Sequence, residues 1–477
     1  MRFYGRRREL AILDEAYQRP EGQMFVLYGR RGVGKTVLLG RWLERRKLRH
    51  FFWTADQRSA PVLLRSLSQA IAAFIEPGRA LPAEFTYSAW ELAFDEIARL
   101  AQPERLVVVL DEFTYLMAAD PSLPSILQRV WDHKLKRSNL LLVITGSHAG
   151  MIERQVLSYR APLYHRANAS LHLQPLPYGA LADFFPRYTP EARVQIYACV
   201  GGVPKYLELM RPDHPLEENI QSLLGSKLII DDAGALLRDQ LSEPAQCISI
   251  VEAIAAGFDQ FNDIASMAGL PVSHLGKYLS VLKRLGIVTR EVPVTETRPE
   301  KSRKGRYRIT DHYLRFYYRF LANQRANLER GLINSVWLNI RHHLAEFVGR
   351  HVFEELCREY LWQLGNAGRL AFAPREVGSF WGSRLPQIDV AAINEDAHRL
   401  ILGECKWTGK PVDAAVVTSL IERAQRVIPA PAEKWTVTYA FFSRSGFAPD
   451  ARPAATGRQC IWVDLKQLDS TLQQFKD

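Results

Sequence analysis

Cysteine is scarce in this 477-residue chain: Cys199, Cys247, Cys357, Cys405 and Cys460 stand far apart, and no two form a CxxC. That spacing supports neither a structural zinc site nor a disulfide framework, and it fits buried thiols in a reducing compartment. No apolar run approaches the roughly 18 residues that a membrane-spanning helix needs. The opening MRFYGRRREL is charged from its second residue, so a secretory leader is not expected. The expected setting is the cytoplasm, with no membrane partner. Internal repeats and low-complexity stretches are missing too, which sets aside solenoids and biased tails.

What is present is ordinary globular material in quantity. Apolar residues make up 47% and charged residues 24%, so wholesale disorder does not fit. The length implies about three or four domains, each able to bury a core. Lys and Arg number 62 against 51 Asp and Glu, a net charge of +11 that favours a polyanionic partner without identifying it.

The first part alternates β-rich runs (MFVLYG, RHFFWT, RLVVVLDE, NLLLVITGS) with helix-like stretches, a rhythm that reads as βαβ units around a parallel sheet. This predicts an α/β core over residues 1–175. Residues 176–240 read as a helical lid punctuated by Pro and Gly. Over 241–324, ISIVEAIAAG, FNDIASMAG and HLGKYLSVLKRLG followed by IVTREV and RYRITD read as a winged helix, with VSHLGKYLSVLKRLG in the recognition position and Leu275, Leu279 and Leu282 in its core. Residues 325–477 read as a small α/β domain in which FEELCREYLWQL is helical and LPQIDVAAI, RLILGECKW and KWTVTYAFFS are strands.

Gly29-Arg30-Arg31-Gly32-Val33-Gly34-Lys35-Thr36 fits GxxxxGK[ST] between an apolar strand and a helix. Gly29, Gly32 and Gly34 let backbone N–H groups face phosphates, while Lys35 reaches the β and γ phosphates and the Thr36 hydroxyl ligates Mg²⁺. Asp111 and Glu112 end the strand LVVVLDE, where open α/β sheets bind ligands; Asp111 is expected to hold Mg²⁺ and Glu112 to orient or deprotonate the attacking water. Ser147, at the end of LLLVITGSH, is placed to sense the γ-phosphate or position the water. Arg160 and Arg166 are candidates to reach phosphate from the same or a neighbouring subunit, which makes a homo-oligomer possible.

Phe3-x-Gly5-Arg6 with Glu9-Leu10 before the P-loop, the Asp-Glu pair, the Gly-Ser after the next strand, PLYHR and GGVPKYL (201–207) together resemble the prokaryotic, largely archaeal, P-loop ATPases of the AAA+/STAND group. The likeness covers about the first 320 residues. It implies ATP rather than GTP, adenine beside the segment that precedes the P-loop, and a lid helix opened by the GGxP segment near the nucleotide.

A second constellation lies near the C-terminus. Asp389 in PQIDVA is followed fifteen residues later by Glu404-Cys405-Lys406, and on a strand Glu404 and Lys406 share a face. Asp389 and Glu404 would bind one or two Mg²⁺, Lys406 would position or activate water, and Glu354 would complete the site from the preceding helix. The arrangement resembles the PD-(D/E)xK nuclease core, with Ile388 where a Pro is usual. The basic run from Arg298 to Arg308 falls in the wing and suits a phosphate backbone, DNA before RNA. The cluster Arg41, Arg45, Arg46, Lys47 and Arg49 reads as a solvated helix face. Together these features predict an ATP-hydrolysing protein that acts on nucleic acid; the alternative is a STAND-like switch whose nuclease-like domain is an inactive binding or assembly module.

Overall fold

The computed structural model describes residues 3–78, 82–102, 104–238, 241, 243–382 and 385–476. The chain forms two compact units, one ending at Pro175 and the other spanning Leu176–Lys476. No helix among the described residues is long and apolar enough to cross a membrane.

The first unit is built on five parallel strands: β1 (Gln23–Tyr28), β2 (His50–Thr54), β3 (Leu106–Asp111), β4 (Leu140–Gly146) and β5 (Ala169–His172), in the order β2-β3-β4-β1-β5. β3 and β4 are buried along their whole length because both sheet faces are covered. Val108, Leu142 and Ile144 pack under the helices Ala60–Ile75, Trp90–Leu100 and Leu123–His133; Val107, Leu141 and Val143 pack on the other side with the helices Arg7–Gln18 and Lys35–Arg46. The expected strands are all there. β5 was not foreseen: it has only four residues and alternates half-buried with exposed positions.

The second unit opens with helices over Leu181–Arg238; the boundary expected at residue 240 lies outside the described residues. Three helices follow, Pro244–Ala255, Phe261–Met267 and Val272–Arg284, then an antiparallel pair, β6 (Val288–Glu291) and β7 (Arg306–Ile309). Leu275, Leu279 and Leu282 are buried as expected. Beyond the helices of 312–366 comes a mixed sheet of β8 (Glu376–Gly382), β9 (Leu385–Asn394), β10 (Arg399–Lys406), β11 (Thr436–Ser443) and β12 (Gln459–Asp464), in the order β12-β11-β10-β9-β8. β8 to β10 run antiparallel, β10 to β12 parallel.

Two sets of contacts make this unit one body. Asp469, on the final helix Leu465–Gln473, is buried; its carboxylate accepts from the Tyr178 hydroxyl at 2.7 Å and from Arg193 at 3.2 and 2.6 Å. Gly179 lies so close to Leu472 that a Cβ there would stand 2.3 Å from its carbonyl oxygen. The stretch expected as a lid is therefore locked to the end of the chain. In addition, the β6–β7 connection packs on β8: Val294 donates its N–H to the Ser379 carbonyl at 3.0 Å, and Trp381 donates Nε1–H to the Lys304 carbonyl at 2.9 Å.

That packing divides the basic run. Lys304 pairs with Glu296 at 2.6 Å, Arg306 lies 4.8 Å over the Trp381 ring, and Arg308 pairs with Glu291 and, at 3.0 Å, with Glu355. Arg298, Lys301 and Arg303 remain exposed. Of the basic run expected to suit a phosphate backbone, Arg306 and Arg308 are thus turned by β7 toward acidic side chains on neighbouring elements.

Candidate nucleotide site and C-terminal acidic site

The loop between β1 and the helix Lys35–Arg46 needs its glycines. Gly29, Gly32 and Gly34 have φ of 150°, 85° and 95°, and a Cβ on Gly29 would meet the Leu173 carbonyl oxygen at 2.4 Å. Arg6 braces the loop from outside: its guanidinium donates to the carbonyls of Val33 at 3.2 Å and Gln174 at 2.6 Å and pairs with Glu9 at 2.8 Å. That bracing role was not read from the sequence, although Arg6 lay in plain view within Phe3-x-Gly5-Arg6.

Lys35 is buried, and its Nζ donates to Gly29 O at 2.9 Å and to Ser147 Oγ at 2.8 Å. Desolvation lowers its pKa, opposed by the charges of Glu112 and then Asp111. Thr36 Oγ1 donates to Asp111 Oδ2 at 3.0 Å, and Thr145 Oγ1 donates to Asp111 Oδ1 at 2.5 Å. Glu112 sits in the left-handed region at φ 55°, a strained conformation for this residue type, and its carboxylate accepts from the Ser147 N–H at 3.1 Å and from the Ser147 hydroxyl. The ends of β1, β3 and β4 thereby bring Lys35, Thr36, Asp111, Glu112 and Ser147 together. The oxygen-only pair of Thr36 and Asp111 has the hard-ligand chemistry that Mg²⁺ takes.

Arg166 is not part of this cluster. It precedes β5 and holds Asp132, at the end of the helix Leu123–His133, with contacts of 3.2 and 2.9 Å. β5 runs parallel to β1, with Ala169 beside Phe25, so Arg166 lies at the start of the strands and the phosphate loop at their ends. Six residues of strand put about 20 Å between them. Action of Arg166 on the loop of its own chain is corrected on that ground. Arg160 is exposed.

In the second unit, the antiparallel register ends at Gly403 opposite Val390, which sets Asp389 beside Glu404 and Cys405. Asp389 Oδ2 accepts from the Cys405 N–H at 3.0 Å. Glu404 is buried, and its two oxygens are held by Lys406 and Arg423, each at 2.6 Å. Arg423, on the helix Ala414–Ala424, was not anticipated. Burial, then the charge of Glu404, pushes the Asp389 carboxyl up; burial, then the charge of Asp389, pushes Glu354 up. Arg358 donates to Ser379 Oγ, and the Ser379 hydroxyl donates to the Asp389 carbonyl at 2.8 Å. Among the described residues there is no group of three or more His, Cys, Asp or Glu able to hold a metal ion. The donors that fit a hard cation here are Asp389 and Glu354, carboxylates that resist ionising together. Glu404 has both oxygens committed to cations, contrary to the expectation that it serves as a ligand.

Glu359, on the same helix as Glu354, is pushed up to about 7 by burial and then by the charge of Glu355. Its folded value lies above the ordinary glutamate value of 4.5, so folding favours the neutral acid. Stability is full below pH 4.5 and falls as the pH rises toward 7. Glu359→Gln is therefore expected to stabilise the fold by about 3 kcal/mol at pH 8 and negligibly at pH 4, read from urea unfolding at both values.

A family model described as an ATPase domain predominantly from Archaea matches residues 3–210, and another, described as archaeal and bacterial proteins of unknown function, matches residues 317–417. An uncharacterized protein of Methanocaldococcus jannaschii is 30% identical over 408 residues, 85% of this chain and 87% of the relative. An uncharacterized ATP-binding protein of the same organism is 38% identical over 47 residues, 10% of this chain and 80% of that protein. Among solved structures, the Walker-type ATPase of Pyrococcus abyssi superposes with a TM-score of 0.52 at 19% identity, covering 66% of this chain and 96% of that one.

Proposed function

Because this chain belongs to the family of P-loop ATPases found predominantly in Archaea, with a C-terminal region shared by archaeal and bacterial proteins of unknown function, we propose that it couples ATP hydrolysis to action on nucleic acid through a Mg²⁺-dependent nuclease-like site. The chain is an ATPase of α/β fold. Lys35 and the loop N–H groups hold the β and γ phosphates. Thr36 and Asp111 would hold Mg²⁺, which supplies positive charge against the phosphates when bound. Glu112 orients the attacking water, and the Ser147 hydroxyl, shared between Lys35 and Glu112, reports the γ-phosphate to both.

Nucleic acid is the partner that the excess of basic residues favours. The three helices and hairpin of 244–309 are read as a winged helix, with exposed Lys283 and Arg284 on its third helix and Arg298, Lys301 and Arg303 on the wing. Arg160 and Arg166 are left for a neighbouring copy to use. The observation that carries the nuclease reading is the approach of Glu354 to Asp389 beside Lys406: two carboxylates whose mutual repulsion a divalent cation relieves. Asp389 and Glu354 would hold Mg²⁺, which supplies Lewis acidity at a phosphodiester. Lys406 positions the water.

The test is cleavage of labelled DNA and RNA with Mg²⁺ or Mn²⁺, with and without ATP. Asp389→Ala is expected to abolish cleavage and to leave ATP turnover at the wild-type rate. Cleavage that persists in Asp389→Ala refutes the site. One observation favours a second reading, a nucleotide-driven switch: Lys406 and Arg423 together saturate Glu404. On that reading calorimetric titration finds no Mn²⁺ uptake that Asp389→Ala removes.

A further inference from the structure

A cavity of about 350 Å³ opens within the second unit between the helix Pro244–Ala255, the β6–β7 hairpin, the helix Glu354–Asn366, β8 and β9. Arg306, Arg308, Arg315, Arg350 and Arg358 line it against the carboxylates of Asp259, Glu291 and Glu354. With Glu355, which pairs with both Arg308 and Arg315 behind the lining, five arginines stand against four acids, so the lining stays net positive.

These arginines do different things. Arg315 is spent on the scaffold: it donates to the Ile309 and His351 carbonyls and pairs with Glu355 at 2.8 Å. Arg306 is stacked on Trp381 and lies 3.7 Å from Asp259. The remaining three keep unused donors. Arg308, though paired with Glu291 and Glu355, has a buried Nε with no hydrogen-bond partner. Arg358 donates one nitrogen to Ser379, while its Nη2 is buried and unpartnered. Arg350 forms no ion pair among the described residues. A buried donor of a charged group left unsatisfied costs free energy that a fold seldom tolerates without a use, and here two such donors, Arg308 Nε and Arg358 Nη2, border one space beside the exposed Arg350.

We propose that this cavity binds a phosphate monoester, the terminal phosphate of a nucleic-acid strand. Guanidinium forks match phosphate oxygens geometrically. The net positive lining suits a monoester, which carries close to two negative charges near neutrality. The volume suits one phosphate with its sugar rather than a duplex. The cavity also borders the acidic site, because Arg358 reaches Asp389 through Ser379. The assignment rests on the nucleic-acid reading above, and it adds that the strand end is what is gripped. A free nucleotide offers the same phosphate chemistry, so the test separates the two sources.

The experiment uses the full chain carrying Lys35→Ala, which removes the competing phosphate loop. Anisotropy is measured with a short labelled DNA bearing either a 5′-phosphate or a 5′-hydroxyl, and with both ends exchanged for the 3′ series; thymidine monophosphate serves as competitor. The phosphorylated strand is expected to bind about tenfold or more tightly than its hydroxyl counterpart in at least one series. Arg350→Gln, at an exposed position that does not threaten folding, and Arg358→Gln are both expected to erase the preference. Equal binding of phosphorylated and hydroxyl strands, or an undiminished preference in Arg350→Gln, overturns the proposal. Competition by thymidine monophosphate at the strand's own affinity overturns the strand end as the ligand and assigns the cavity to a free nucleotide. A phosphate preference that persists without any cleavage means that the nuclease reading has failed while the cavity stands; cleavage without the preference means the reverse.

Discussion

Lys35→Ala lowers ATP hydrolysis by about three orders of magnitude without unfolding the first unit. The expected size follows from what the ammonium does. It is buried among backbone carbonyls and the Ser147 hydroxyl, where one preorganised donor aimed at developing charge is worth roughly 10²–10³ in rate, and it also carries a full charge. Folding should survive because desolvation works against the ammonium, as its lowered pKa records, so trimming it relieves a cost as well as removing contacts. Phosphate release from ATP, with circular dichroism beside it, makes the comparison. Turnover within tenfold of wild type in a folded variant would remove Lys35 from the chemistry.

Asp469→Ala destabilises the second unit by about 3–5 kcal/mol. Among the described residues the carboxylate is the acidic partner of Arg193, whose side chain is 8% exposed, and it also receives the Tyr178 hydroxyl. Removing it leaves a buried guanidinium without its counter-charge, holding only the Tyr188 carbonyl, and a buried phenol with only the Pro190 carbonyl at 3.3 Å. The double variant Arg193→Met with Asp469→Leu should recover most of the loss, because the penalty belongs to the stranded charge rather than to the pair. Urea unfolding of wild type, both single variants and the double variant gives the coupling directly. A loss below about 1 kcal/mol for Asp469→Ala, typical of an exposed pair, would show that this contact does not hold the stretch after Pro175 to the end of the chain.

The nucleotide site was legible because its parts are contiguous or end buried strands. Gly29 to Thr36 announce themselves by spacing, and Asp111, Glu112 and Ser147 by following uninterrupted apolar runs. Arg166 was not legible, since its position depends on β5, four residues too short and too polar to register as a strand; without β5 the direction of the chain at Arg166 cannot be read. At the C-terminal site, Asp389, Glu404 and Lys406 were found through strand periodicity. Arg423 was not, because a helical residue reaches a site only through the crossing of that helix over the sheet. The same holds for the arginine cavity, whose lining comes from the hairpin, two helices and the residues between them. The run from Arg298 to Arg308 was legible as charge, but its division into paired and free halves depends on Asp259, Glu355 and Trp381, all distant in sequence.

The attachment of Val294 and Lys304 to β8 has a further consequence. β8 is the last strand of its sheet, so one row of its backbone donors and acceptors faces outward, an open template for any extended segment that drifts past. The β6–β7 connection occupies part of that template through Val294 and presses Trp381 beneath Lys304. Nucleic acid that pulled this connection away would bare a strand margin as it gained basic contacts. The same loop therefore bears on association: seated, it covers part of the sheet margin, and lifted, it would leave that part free to pair with another molecule.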